Sequence, residues 1–470
     1  MYNTHMAKEI KTAYELACER VIGARTIYRH NEAEPFKIDF VDVPEFSDRA
    51  DKVIEIRGFS DKEDSYFDEK PKEKIEGPEV PVVQSQTVHY DNKFLEVCWN
   101  GNVMDYSGYA KMNRNFVFGL SNRNVKVKVQ DPGNTIDINE ATQKELIGLT
   151  HTELSDESPK VFSATVPIGY IGNKGRKILY TMIENSQTIH PIYRDKLNGF
   201  DEIWVPSKYG QKLLKDNKVN PNVYVMPLGV DTKRYSDKVG LMDFNGSKSF
   251  RFLSVFKWGA RKNYKTLLRA YMQEFSAEED VSLILVTKPL NGDMKNIVEE
   301  FNGIKATIDK TEETLPHIML YSKKIHEKDM PRIYASCHAF VLISHGEGFG
   351  LPFLEAGASN IPVIASNVTA QTDFLNKDNA YLVDPDDYVK AEINGKLSQI
   401  AKSCYFYENQ VFPEFGENAL NQTRQHMREV YINYSEAKKK ANKLQQLILN
   451  NYSWDQAIEK VYNRIREIGE

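Results

Sequence analysis

Cysteine is scarce in this 470-residue chain. Its four copies, Cys18, Cys98, Cys337 and Cys404, lie far apart. None stands at zinc or redox spacing from another, so a disulfide scaffold and a cysteine-based metal site are excluded. Reduced thiols and a cytoplasmic setting are the expectation. Long apolar runs are missing too: no stretch is long enough to cross a bilayer, and the first 30 residues lack a signal-type apolar core. There is no excess of basic charge. Lys and Arg number 61 against 66 Asp and Glu, a net −5, so no global field would hold the chain on nucleic acid. The charge is uneven along the chain, with 14 basic against 21 acidic residues in 1–100 and 16 against 13 in 101–230. The mild positive balance of the second stretch would help an anionic partner without naming one. No internal repeat is visible.

What is present is ordinary globular composition, 41% hydrophobic and 27% charged, in a chain long enough for two domains. Residues 7–24 have helical spacing, and the highly charged 45–85 read as a solvated loop or linker. From "FLEVCWNG" the texture changes. An apolar run at 94–99, a loop, the helical "KMNRNFVFGLS" and the alternating "NVKVKVQ" make a βαβ opening. Buried-strand candidates follow at 177–183, 202–207 and 223–228. Between them lies the helical "SKYGQKLLKDN", with Ser207 as its N-cap. A second alternation of strands and helices starts at "FRFLSVF" (250–256), and the polar stretch 229–249 separates the two series. Alternation at these lengths implies parallel sheets wrapped by helices. The expected fold class is therefore α/β, with two Rossmann-like lobes and a cleft, and ligands beyond the carboxyl ends of the strands.

One stretch carries chemistry. "AFVLISHGEGFGLPFLEAGASNIPV" places a buried strand before a glycine-rich loop and a short helix beginning near Leu351. Pro352 suits the first helical position. Gly346, Gly348 and Gly350 let the loop bend and bring backbone close to a ligand, and the free amides of the helix start favour an anion. Asn360 and Pro362 end the helix. Glu347 lies in the loop and Glu355 about one turn inside the helix. Beside a phosphate site such carboxylates would repel the anion, but they suit hydroxyl groups, which a nucleotide sugar offers on both ribose and sugar. Upstream, "SVFKWGARKNYKTLL" supplies Lys257, Arg261 and Lys262 before a helix capped by Asn263. Cations at a helix N-terminus make sense around a diphosphate.

These residues resemble a family. "EGFGLPFLEAGASNIPVIAS" is similar to the E-x7-E signature of retaining GT-B glycosyltransferases. "GARKNYKTLLRAY", "FDEIWVPSKYGQKLL", "VMPLGVDTKRY" and "NYSWDQAIEKVYNRI" resemble that family's other segments in order. The resemblance covers roughly residues 94–470. It implies a GT-B fold: an extension of unknown role at 1–90, an acceptor lobe at 91–240, a nucleotide-sugar donor lobe at 245–445, and a terminal helix at 450–470 crossing back onto the first lobe. By position, Glu355 would bind ribose hydroxyls. Glu347, with the amides of Gly348, Phe349, Gly350 and Leu351, would hold the transferred sugar and the distal phosphate. Lys257 and Lys262 would neutralise the leaving diphosphate, with Arg261 as a possible substitute. Ser107, Gly108 and Tyr109 would close over the phosphates or the acceptor, joined by Glu184, where many members place a histidine. Three departures stand out: Lys257 replaces the usual arginine, "TKPLNGD" replaces a glycine-rich turn, and that histidine is missing. The resemblance implies a retaining transferase needing no metal or other cofactor beyond its nucleotide-diphosphate sugar donor. The acceptor stays open, a glycan or lipid-linked glycan being favoured and a nucleic acid possible. A catalytically silent scaffold is the alternative, and the oligomeric state is not legible.

Overall fold

The computed structural model describes residues 95–470 apart from 106, 134–137, 139, 165–173, 290–292 and 323–324, together with the backbone of Val53–Glu55. The expected helix at 7–24 and the charged run 45–85 beyond that short strand lie outside the described residues.

In chain order the first lobe comprises β2 (Glu96–Asn100), α1 (Gly108–Ser121), β3 (Lys126–Gln130), α2 (Glu140–Thr150), β4 (Lys160–Ser163), β5 (Lys177–Tyr180), α3 (Pro191–Leu197), β6 (Glu202–Val205), α4 (Lys208–Asp216) and β7 (Asn222–Val225). A short helix, α5 (Thr232–Ser236), lies in the connection. The second lobe continues with β8 (Phe250–Trp258), α6 (Tyr264–Glu274), β9 (Val281–Pro289), α7 (Met294–Lys305), β10 (His317–Tyr321), α8 (Met330–Ala335), β11 (Ala339–Leu342), α9 (Leu351–Ala358), β12 (Val363–Ser366) and β13 (Tyr381–Val383). A two-stranded hairpin, β14 (Asp387–Lys390) and β15 (Val411–Glu414), encloses α10 (Ser398–Ser403). Three helices close the chain: α11 (Glu417–Ile432), α12 (Tyr434–Asn451) and α13 (Trp454–Gly469). The remaining strand, β1, is Val53–Glu55.

Each lobe is built on its own sheet. The first has the order β3-β2-β4-β5-β6-β7, with every pairing parallel. The second has the order β1-β10-β9-β8-β11-β12-β13. All its pairings are parallel except that of β1, which adds antiparallel to β10 at the edge. The inner strands of both sheets are covered on two faces, which is why they read as apolar runs, whereas the edge strand β3 keeps its alternation. "VSLILVT" of β9 is buried along its whole length. In the second sheet β8 and β11 are neighbours although β9 and β10 lie between them in the chain, so the order runs β8-β9-β10 to one side and β8-β11-β12 to the other. That pair marks the switch point, where the loops leaving the strand ends part and open a crevice.

Ser207 caps α4 as the sequence indicates, accepting from the Gly210 amide at 2.9 Å. Two local expectations are corrected. Pro352 occupies the second helical position of α9 rather than the first, because Leu351 already has helical backbone. Asn263 precedes α6 in left-handed conformation (φ 51°) and makes no side-chain cap; its Oδ1 accepts from the Thr266 hydroxyl instead.

The last helix returns to the first lobe. Ser453 and Gln456 form a capping box at its start, and Trp454 meets Phe116 of α1 edge-on at 5.8 Å. Arg464 donates to both oxygens of Glu202, a wholly buried carboxylate on β6, at 3.0 and 2.6 Å. Glu202 also pairs with Arg176 at 3.3 Å and accepts from the Trp204 indole, so Arg464 is one of several partners that satisfy this buried charge. The helix is thereby fixed to the first lobe while α12 packs against α9 of the second. No helix among the described residues is long and apolar enough to cross a membrane.

Candidate active site

The switch point of the second sheet gathers the motif residues. β8 ends at Trp258, and the turn Ala260–Lys262 carries Arg261 and Lys262 to the mouth of the crevice. β11 ends at Leu342, and the loop that follows reaches α9 through Gly350, whose φ of +98° belongs to the left-handed region. Without a Cβ the chain can turn there directly into the helix. Glu347 and Glu355 are both buried, at 5% and 6% exposure, although neither belongs to an apolar core.

Each carboxylate is held by a lysine. Lys262 Nζ stands 2.6 and 2.8 Å from the two oxygens of Glu347. Arg261 Nη1 lies 3.6 Å from Glu347 Oε2, and the Glu347 amide donates to Thr369 Oγ1 at 2.9 Å. Burial alone would raise the Glu347 carboxyl, but the two cations outweigh it and hold the group below the usual carboxylate range. Lys262 is pushed down, first by burial and further by the neighbouring Arg261, against the pull of Glu347. The lysine that meets Glu355 comes from the other lobe: Lys111 Nζ on α1 is 2.7 Å from Glu355 Oε1. The Tyr334 hydroxyl donates to Glu355 Oε2 at 2.8 Å. Burial disfavours the Lys111 ammonium, yet Glu355 and Glu327, the latter 3.4 Å away, raise its pKa.

Other residues singled out in the sequence fall into three groups. Ser107 caps α1 by accepting from the Ala110 amide at 3.1 Å. Gly108 opens that helix beside free space, and the Tyr109 hydroxyl accepts from the Met182 amide at 3.0 Å. Glu184 enters the cleft from the loop after β5, with its Oε1 2.8 Å from Arg261 Nη2. Phe349 and Lys257 stand apart. Phe349 is a buried contact of Phe374 and Tyr452. Lys257 is exposed on β8, opposite Lys288 in register.

The glycines have a second purpose that the sequence did not disclose. A Cβ on Gly346 would lie 1.8 Å from the Glu184 carbonyl oxygen, and one on Gly348 would lie 2.5 Å from Met182 Cβ. The close approach is therefore made by the first lobe itself. His345 is a buried, positioned residue, with Nδ1 2.7 Å from the Pro413 carbonyl, and burial pushes its pKa down to about 4. Trp99 is core, its indole donating to Asn113 at 2.9 Å.

Sequence reasoning missed Lys111 and Tyr407. The Tyr407 hydroxyl bonds Glu184 Oε2, and Tyr407 comes from the β14–β15 segment. The second lobe also holds an Asp-x-Asp spacing, Asp384–Asp386, which corrects the sequence reading that none occurs there. Asp386 accepts from the amides of Gly416, Asn418 and Ala419 at the start of α11, and Asp384 accepts from Asn367, so both are committed to loop structure. Among the described residues no three His, Cys, Asp or Glu side chains are grouped as a metal site.

Comparison with known proteins agrees with this geometry. Residues 247–402 match the family model described as Glycosyl transferases group 1. The MMP alpha-(1->4)-mannosyltransferase of Mycolicibacterium hassiacum is 29% identical over 188 residues, covering 39% of this chain and 41% of that protein. The O-antigen chain mannosyltransferase B of Escherichia coli is 40% identical over 67 residues, covering 14% and 17%. The chain thus matches less than half the length of these relatives. A glycosyltransferase from Rickettsia africae superposes with a TM-score of 0.55 at 13% identity, covering 81% of this chain and 99% of the other. Anabaena HepE in complex with UDP and glucose superposes with a TM-score of 0.52 at 11% identity, covering 79% and 100%. Such likeness shows a common fold, the GT-B arrangement of two Rossmann-like lobes.

Proposed function

We propose, from the GT-B fold and the match of residues 247–402 to the group 1 glycosyl transferases, that the chain transfers a sugar from a nucleoside-diphosphate sugar to an acceptor hydroxyl with retention of anomeric configuration. The observation that carries this reading is the pair of buried carboxylates, Glu347 and Glu355, opposed to Lys262, Arg261 and Lys111 at the switch point. Glu355 would accept from the ribose hydroxyls and Glu347 from hydroxyls of the sugar. The amides of Gly348 to Leu351, at the start of an eight-residue helix, would face the distal phosphate.

The costly event is departure of the diphosphate from the anomeric carbon. Lys262 and Arg261 lie where negative charge would grow on the leaving oxygen, in a buried setting where preformed charge acts strongly. In the proposed reaction the anomeric C–O bond to phosphate breaks and a new bond to the acceptor oxygen forms on the same face. The acceptor proton passes to the leaving phosphate. Lys257, exposed on β8, would join only after a change of side-chain position.

The favoured acceptor is a sugar hydroxyl, free or lipid-linked, in keeping with the two relatives being mannosyltransferases, one of them of the O-antigen chain. Incubation with radiolabelled UDP-glucose and GDP-mannose, with and without oligosaccharide acceptors, tests the reading. Label incorporated with its anomeric configuration retained supports it. An inverted product removes retention, and absence of both incorporation and diphosphate release removes the enzyme.

A further inference from the structure

Arg261 is held by the opposite lobe. Its Nη2 lies 2.8 Å from Glu184 Oε1, while Nη1 donates to the Gly346 carbonyl and approaches Glu347 Oε2 at 3.6 Å. The other oxygen of Glu184 accepts from the Tyr407 hydroxyl. Glu184 belongs to the first lobe, whereas Arg261, Gly346 and Tyr407 all belong to the second. Its backbone is committed as well, since its carbonyl oxygen occupies the place a Gly346 side chain would need.

Tyr407 is itself anchored by residues around it. It sits between β14 and β15 in a segment that the second lobe extends across the cleft. Ser186 donates its amide to the Val411 carbonyl at 2.7 Å. Phe406 lies 5.3 Å from Tyr193 of α3, and the Thr188 hydroxyl reaches Gln410 at 3.4 Å. This strap holds the loop after β5 from one side while the glycine loop holds it from the other.

We infer that Glu184 is a positioning residue. It aims the Arg261 guanidinium and, through it, braces the Gly346–Glu347 loop, so that the cationic face for the leaving diphosphate is complete only when the lobes meet. This rests on the proposed transferase reading and adds a specific division of labour. Donor affinity belongs to the second lobe, whereas the reactive alignment depends on Glu184. A fixed guanidinium has more to offer a transition state than a mobile one, because its orientation is settled before charge develops.

The test combines Glu184→Gln, Arg261→Met and the double variant with Tyr407→Phe. Turnover is read as diphosphate release from UDP-glucose and from GDP-mannose, and affinity for UDP and GDP is read by calorimetry. The inference expects Glu184→Gln to lower kcat by about 100-fold, the scale of a small misplacement in a site. The dissociation constant of the bound diphosphate should stay within about twofold, which also certifies a folded second lobe. Arg261→Met should cost as much as the double variant, because the two residues act as one unit. Tyr407→Phe, which leaves the Glu184–Arg261 pair intact, should cost about tenfold or less. Multiplying losses in the double variant, unchanged kcat in Glu184→Gln, or an affinity loss matching the kcat loss would each overturn the inference. A wild-type protein that turns over neither donor overturns the transferase reading itself, a result distinct from all three.

Discussion

Lys111 and Glu355 face each other across the cleft, ammonium to carboxylate, at 2.7 Å. With Tyr334 on the second oxygen, both acceptor positions that a ribose diol would use are taken. On the proposed reading a donor can bind Glu355 fully only by displacing the lysine.

Replacing Lys111 by methionine should therefore tighten binding of the cognate nucleoside diphosphate. The expected gain is up to about tenfold, or ~1.4 kcal/mol, because a competing interaction has been removed. Calorimetry on wild type and Lys111→Met decides this. A weaker complex in the variant would mean that Lys111 contacts the nucleotide directly.

The glycine loop gives a contrasted pair of outcomes. At Gly346 a Cβ would strike the Glu184 carbonyl of the first lobe at 1.8 Å. Gly346→Ala should keep diphosphate affinity but lower transfer by about 100-fold, since closure is obstructed. At Gly350 the φ of +98° is unfavourable for any other residue, and a Cβ would lie 2.7 Å from the Phe353 ring. Gly350→Ala should instead destabilise the second lobe by about 1–2 kcal/mol, seen as a lower melting temperature. Equal effects of the two substitutions on stability would contradict this division.

His345 should contribute to acid sensitivity. Its pKa falls from 6.5 to about 4 on folding. The unfolded chain thus binds more protons between those values, and stability rises with pH across that window. The contribution is fully present above about pH 6.5 and is lost progressively towards pH 4, amounting to up to about 3 kcal/mol. Melting curves from pH 7 to pH 4.5 should fall less steeply for His345→Gln, whose side-chain N–H can still reach the Pro413 carbonyl. Parallel curves would remove His345 as a source of the acid limb.

The residues legible in sequence are those whose local pattern has a local cause. The buried strands declared themselves as apolar runs, and Glu347 and Glu355 stood out because a glycine loop followed by an apolar helix has no internal use for acids. Lys111 gave no such signal. It is one lysine among polar residues of α1, and only the approach of the second lobe gives it Glu355 as a partner. The β14–β15 strap was equally silent. β14 is largely exposed and pairs only with β15, so "DDYVKAEINGK" carries no buried alternation. Gly346 and Gly348 were read as room for a ligand, whereas Met182 and Glu184 fill that room; a sequence records that space is needed and not what occupies it.

The central claim is that Glu355 and the Glu347–Lys262 pair form a nucleoside-diphosphate site. The most direct measurement is the melting temperature of wild type, Glu355→Ala and Lys262→Ala with UDP, GDP, ADP and CDP at millimolar concentration. Stabilisation of wild type by one of the four, lost in both variants, is the predicted result. No stabilisation of wild type by any of them, or stabilisation that survives in Glu355→Ala, would contradict it.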